Sequence, residues 1–162
     1  GILGLSSDHK LAERSGVKRD VNRGIIEADL YREQLKDPNS KRSLLREQLS
    51  KVSLCRTRNR AFHPQGGQRI LTQDSAVFTV LRTSPEGDQR ILAMTNVSQN
   101  TVKLELTLAD IGVQDIDWRN AISGEAVQAE GDRLKLELGP YDNLWLAPAA
   151  EYSEVAELSV FR

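Results

Sequence analysis

From Val102 to Leu108 every second residue is apolar: Val102, Leu104, Leu106 and Leu108 alternate with Lys103, Glu105 and Thr107. The pattern returns at Leu134, Leu136 and Leu138, split by Lys135 and Glu137. A period of two sends alternate side chains to opposite faces, so each run predicts a β-strand with one dry and one wet face. A helix, whose faces repeat every 3.6 residues, cannot carry it. Nearby, Ala76–Leu81 is β-branched and aromatic, Ser84-Pro85-Glu86-Gly87-Asp88 breaks the chain, and Arg90–Thr95 resumes it. That grammar is a hairpin. Ser98-Gln99-Asn100 makes a turn, Gly131-Asp132 and Gly139-Pro140 punctuate further on, and Asn143–Ala147 reads as a last strand. Short strands between frequent turns predict an antiparallel β-sandwich over residues 65–150.

The first 64 residues follow a different period. Ser6, Ser7, Asp8, Ser15 and Gly16 punctuate a polar opening that reads as loop. Residues 25–36 make a short helical candidate with Ile26, Leu30 and Leu35 among charges. Asp37-Pro38 reads as the start of a second helix, with a capping carboxylate before a proline that loses no hydrogen bond there. Leu45, Leu49, Val52 and Cys55 then form an apolar stripe. The class is therefore α+β: a loop-and-helix segment over 1–64, a β-sandwich over 65–150 and an acidic tail over 151–162 with no assigned role.

Several function classes fall away at once. No apolar run approaches the roughly 18 residues that span a bilayer, so no membrane partner is expected. No secretory pattern is visible. The chain opens on Gly1 rather than Met, so we expect its true start to lie upstream. Residues 1–60 carry 14 Lys/Arg against 8 Asp/Glu, and residues 61–162 carry 8 against 15. The basic half has only Tyr31 as an aromatic, which gives no stacking platform, and no nucleic-acid partner is expected. One cysteine, Cys55, and two histidines, His9 and His63, make no metal site at any usual spacing. No cofactor is implied. A single thiol fits a reducing compartment, and the expected location is cytoplasmic.

The search for a self-contained active site returns nothing. There is no glycine-rich phosphate loop and no nucleophile elbow. Gly66-Gly67 is a turn before a short strand. Cys55 on the apolar stripe reads as a buried thiol, His63 before Pro64 as a loop anchor, and Asp115 and Asp117 as a solvated turn. Trp118 and Trp145 read as core packing rather than a sugar platform. The unusual segment is Ser15-Gly16-Val17-Lys18-Arg19-Asp20-Val21-Asn22-Arg23. Arg and Lys crowded into a loop with a Gly hinge can clamp a phosphate or carboxylate. A solvated basic loop explains the same composition, and composition alone favours that reading.

These residues also carry a family likeness. Residues 15–23 resemble the Gly-x-x-Arg-x-Ile-Asn-Arg loop of the sucrose phosphorylase group within the α-amylase family of glycoside hydrolases. Asp8-His9 and Leu11-Ala12-Glu13-Arg14 resemble the lead-in to it. Arg58-Asn59-Arg60-Ala61-Phe62-His63-Pro64 resembles the end of the last barrel helix, and the phosphorylases of sucrose 6-phosphate and of glucosylglycerate match best. Asn96-Val97-Ser98, the Asp117–Glu125 segment with its Trp118 and Ser123-Gly124-Glu125, and Leu136–Leu146 with its Pro140-Tyr141 and Trp145-Leu146 resemble the group's C-terminal β-domain.

The resemblance implies that residues 1–64 are the last loop and helices of a (β/α)-barrel truncated in this chain. It implies a retaining phosphorylase that takes an α-glucoside and phosphate as partners and gives glucose 1-phosphate. The catalytic acids would lie upstream, so no catalytic residue is assigned here and the chain alone is expected to be inactive. One binding residue carries over: the Arg matching Arg19 helps to bind phosphate or the acceptor sugar, while Asn22 and Arg23 hold the loop. Without its barrel, the helix stripe is expected to drive self-association. The alternative is a non-catalytic β-sandwich module that packs on a barrel or binds carbohydrate weakly.

Overall fold

The computed structural model describes residues 4–152. The chain divides at Ser53/Leu54 into two compact units. The expected 151–162 tail lies outside the described residues from Ser153 onward.

The first unit is helical. α1 (His9–Ser15) is capped at its start by Asp8, whose carboxylate accepts from the Leu11 N–H at 2.8 Å. It ends at Gly16, in the left-handed region at φ 68°. These are the standard cap chemistries at the two ends, so the opening stretch is a short helix rather than loop. A 3-10 turn follows over Lys18–Asn22. α2 covers Ala28–Lys36 and α3 Lys41–Arg58. Asp37-Pro38 does not start α3. Asp37 closes α2, and its carboxylate accepts from the Asn39 N–H at 2.9 Å. Ser40 takes over the cap: its Oγ accepts from the Ser43 N–H at 3.1 Å and its carbonyl from the Leu44 N–H at 3.0 Å. On the predicted stripe, Leu45 and Val52 are half-buried, whereas Leu49 is 37% exposed beside Leu44 at 46%. No described side chain of residues 4–53 is buried.

The second unit is the predicted antiparallel sandwich. Its strands are β1 (Gly67–Asp74), β2 (Val77–Thr83), β3 (Arg90–Asn96), β4 (Val102–Thr107), β5 (Asp117–Asn120), β6 (Ala126–Gln128), β7 (Arg133–Leu138) and β8 (Asn143–Pro148). Six form one sheet in the order β1-β2-β3-β8-β5-β6, and β4-β7 form the other. Leu104 lies opposite Leu136 and Leu106 opposite Leu134, so the two alternating runs pair with their leucines on one face. Those leucines close over Leu71, Val77, Leu81, Leu92, Met94, Trp118 and Leu146 in a single core. The alternation overshoots by one residue. β4 stops at Thr107, whose hydroxyl accepts from the Asp110 N–H at 3.3 Å and caps a one-turn helix, α4 (Leu108–Ile111). Leu108 thus reaches the core from a helix.

The opposite face of the large sheet carries a second cluster. The last turn of α3 supplies Cys55 and the 3-10 turn Arg60–Phe62 supplies Ala61, which bury Ile91, Ala121 and Ala147. Phe62 leans on Trp145 with ring centroids 4.5 Å apart.

Candidate functional site

The motifs of the second unit are spent on architecture. Asn96 is buried and uses its whole amide. Its nitrogen donates to the carbonyls of Asn100 at 2.7 Å and Gly139 at 2.8 Å, and its oxygen accepts from the Ser98 N–H at 2.9 Å. One side chain thus pins the β3–β4 turn to the β7–β8 turn. The Ala61–His63 stretch is held by Arg82, whose guanidinium donates to the carbonyls of Ala61 at 3.2 Å and His63 at 2.9 Å. Gln89 Oε1 accepts from the Ala61 N–H at 3.0 Å. Trp118 is buried in the core with its indole N–H on the Asp115 carbonyl at 2.9 Å.

The candidate catalytic groups of this unit are likewise occupied. Cys55 is 1% exposed, its Sγ donates to the Ala121 carbonyl at 3.1 Å, and burial pushes the thiol up to about 11. It is protonated at neutral pH and is no nucleophile. His63 Nδ1 accepts from the Gln65 N–H at 3.2 Å, a loop anchor. Asp117 accepts from Gln128 at 2.8 Å, while Asp115 stands 3.9 Å from Arg90, so the two acids do not converge. Arg90 in turn is closed on Glu151, which accepts from its backbone N–H at 2.6 Å and from its Nε at 2.9 Å. The described residues contain no cluster that would hold a metal and no helix long and apolar enough to cross a membrane.

The 15–23 segment of the first unit behaves differently. Gly16 ends α1 in a conformation that L side chains rarely adopt, which turns the chain sharply into the 3-10 turn. The Asp8 N–H donates to the Val21 carbonyl at 2.7 Å, so the end of the turn is tied back to the start of α1. Asp20 pairs with Arg23 at 3.1 Å, and the Arg23 N–H donates to the Asp20 carbonyl at 2.9 Å. Arg23 thus makes an exposed ion pair within the turn, whereas Asn22 makes no side-chain hydrogen bond among the described residues. Lys18 and Arg19 are exposed, and neither has a hydrogen bond or ion pair within the described residues. A concavity of about 520 Å³ lies in the same unit, between Ser6–Lys10 and Gly24-Ile25, and Arg19 is not among its lining residues. The segment thus presents a guanidinium and an ammonium with all their donors unspent, on a backbone fixed from below. That arrangement can bind an anion through the guanidinium fork, and it holds no acid or base to transform one.

Residues 68–145 match the family described as Maltogenic Amylase, C-terminal domain. Over 156 residues the chain is 31% identical to a glucosylglycerate phosphorylase of Spirochaeta thermophila, covering 91% of this chain and 26% of the relative. A glucosylglycerate phosphorylase of Allomeiothermus silvanus is 34% identical over 97 residues, covering 60% of this chain and 17% of the relative. The chain spans about a quarter of the first relative's length. Among solved structures it superposes on AmyP in complex with maltose with a TM-score of 0.62 at 16% identity, covering 72% of this chain and 23% of that one. An Anoxybacillus α-amylase gives 0.56 at 13%, covering 68% and 23%. At such identities the superpositions speak for the fold alone, and the fold is that of the β-domain these enzymes carry. Residues 68–145 thus carry the match to the maltogenic-amylase-type C-terminal domain, within a chain similar in sequence to the glucosylglycerate phosphorylases.

Proposed function

We propose that this chain is the C-terminal part of a retaining glycoside phosphorylase that converts an α-glucoside and phosphate into glucose 1-phosphate. One observation carries the reading: the likeness to the phosphorylases runs through both units, including the helical unit over residues 4–53 that buries no side chain of its own. A helical stretch without a core is not a module that folds for its own sake; it is part of a larger packed body. In retaining transfer a carboxylate takes the glucosyl group as the glycosidic C–O bond breaks, an acid protonates the departing oxygen, and a phosphate oxygen then displaces the carboxylate. Both acids lie outside this chain in our reading. The residues here contribute anion recognition: Arg19, with Lys18 beside it, meets phosphate or the acceptor sugar.

The test is kinetic. In the complete product of the reading frame, Arg19→Ala should raise the KM for phosphate about tenfold or more, with Arg19→Lys recovering little because the fork is lost. An unchanged phosphate dependence would return the segment to a solvated basic loop. Without its upstream part the chain should self-associate through Leu44 and Leu49 of α3, which sedimentation across concentration checks. We take the cytoplasm as the site of action, on the single unpaired thiol, and cell fractionation tests that.

A further inference from the structure

We propose that the free edge of β4 is a self-pairing surface, on which a second copy of this chain lays its own β4 antiparallel and joins the two β4–β7 sheets into one. Among the described residues β4 pairs with β7 alone. The phase of that ladder settles which backbone groups are left over. The Leu108 N–H donates to the Asp132 carbonyl at 2.8 Å, one step beyond the Thr107–Arg133 pair. Successive residues of an antiparallel strand turn their N–H and C=O to opposite sides. The register runs without a shift, so Val102, Leu104 and Leu106 bond to β7, and Lys103 and Glu105 aim their backbone groups at the open edge.

A free edge is normally protected by lysine, proline or charges that repel an incoming strand. The β4 edge is written the other way. Thr101-Val102-Lys103-Leu104-Glu105-Leu106-Thr107 is symmetric in polarity about Leu104. Laid antiparallel on a copy of itself with the two-fold axis at Leu104, Thr101 meets Thr107, Val102 meets Leu106, Lys103 meets Glu105, and Leu104 meets its own copy. Each of these is a favourable cross-strand pair. The same register brings Lys103 and Glu105 into the positions that exchange both N–H···O bonds, because theirs are the backbone groups on that side. The axis repeats the exchange, which gives the isologous contact of a closed dimer. A slip of one residue sets a wet side chain against a dry one, and a slip of two sets Lys103 on Lys103 or Glu105 on Glu105.

The second strand extends this match. Lys103 lies opposite Glu137 and Glu105 opposite Lys135. Across the four strands of the joined sheet each charged row then reads Glu137, Lys103, Glu105, Lys135, with the sign alternating at every step. β7 offers no rival edge, because its outer side is closed at the start. There the Glu130 N–H donates to the Arg133 carbonyl at 2.7 Å, the Arg133 N–H donates to the Glu130 carbonyl at 3.1 Å, and the Lys135 ammonium holds the Glu130 carboxylate at 2.5 Å. A contact one strand long is small, so the dimer is a weak one.

Sedimentation equilibrium of the 162-residue chain tests this, in a Leu49→Asp background that silences the exposed stripe of α3. The chain should dimerise as concentration rises. Lys103→Glu and Glu105→Lys each set like charges across the axis and should each weaken dimerisation about tenfold or more. Mixed in equal amounts the two variants should recover it, because every facing pair is again opposite in sign. Lys103→Pro removes an N–H that faces the open edge and spares the ladder to β7. It should melt as a folded protein and stay monomeric; if it does not fold, the mixing experiment decides alone. A chain that is monomeric at every concentration would overturn the proposal. So would charge variants that dimerise like their parent, or a mixture that recovers nothing.

Discussion

The Gln89 side-chain amide donates to the Asn59 side-chain oxygen at 3.1 Å, joining two buried polar residues across the entrance to the β-domain. The Asn59 side-chain amide also donates to the Cys55 carbonyl at 2.7 Å, alongside the Asn59 backbone N–H at 3.2 Å. Gln89 also donates to the Glu151 carbonyl at 3.1 Å. The helix end, the β2–β3 loop and the end of the described chain are thus held by one network. Such networks specify a unique arrangement when every member is satisfied and are costly when cut.

Asn59→Ala removes both of these links and leaves the Cys55 carbonyl buried without its side-chain partner. Urea unfolding of the 162-residue chain should show a loss of about 1–3 kcal/mol. An unchanged midpoint would mean that water replaces the amide without cost.

Thr79 presents the opposite case. It is buried in β2, and its hydroxyl has no hydrogen-bond partner among the described residues. Thr79→Val keeps the branched shape that suits a strand and removes the stranded oxygen. Thermal melts should register a gain of about 1 kcal/mol. A lower melting temperature would show that the hydroxyl is satisfied in solution.

Cys55 makes stability depend on alkaline pH. Its thiol titrates at about 11 when folded against an ordinary 9.0, through desolvation. A group raised on folding adds stability that is fully present below its unfolded value and is lost as pH climbs through the folded one. The window is therefore pH 9.0 to about 11, and about 2–3 kcal/mol should disappear across it. Cys55→Ser, measured against the parent at each pH, should flatten that part of the profile. An equal decline in both proteins would assign it to other groups.

Limited proteolysis should separate the two units. Residues 4–53 bury no side chain, whereas the β-domain has a continuous core, so local opening is easier in the first. The surviving fragment should begin near Leu54 rather than at the first strand, because Cys55, Asn59 and Ala61 are built into the β-domain. A stable core within residues 25–53 would contradict this.

The strands that could be read from sequence were those long enough to alternate. β4 and β7 declare themselves through six leucine and valine positions, and β3 through its apolar run. β5 and β6 are three or four residues long, too short for any period, and are held by pairing with β8 and with each other. The helix boundaries slipped where two caps competed: Asp37 and Ser40 both suit an N-cap, and only the fold chooses Ser40. Asp8 and Gly16 cap α1 with the seven residues of the helix between them, yet its polar composition hides it. The buried network of Asn59, Gln89 and Glu151 had no local signal, since its partners stand 30 and 62 residues apart. Arg19 stood out through its resemblance to the phosphorylase loop, and the structure adds that its donors have no partner among the described residues.

The most direct measurement compares two proteins in one assay: the 162-residue chain and the complete product of its reading frame, each with glucosylglycerate and phosphate. Retaining transfer needs two carboxylates about 5 Å apart across the scissile bond, and in our reading both lie outside this chain. Glucose 1-phosphate should come from the complete product, and none should come from the 162-residue chain above a no-enzyme control. Release by the chain itself, abolished by Arg19→Ala, would contradict it, and so would a complete product that turns over no α-glucoside with phosphate.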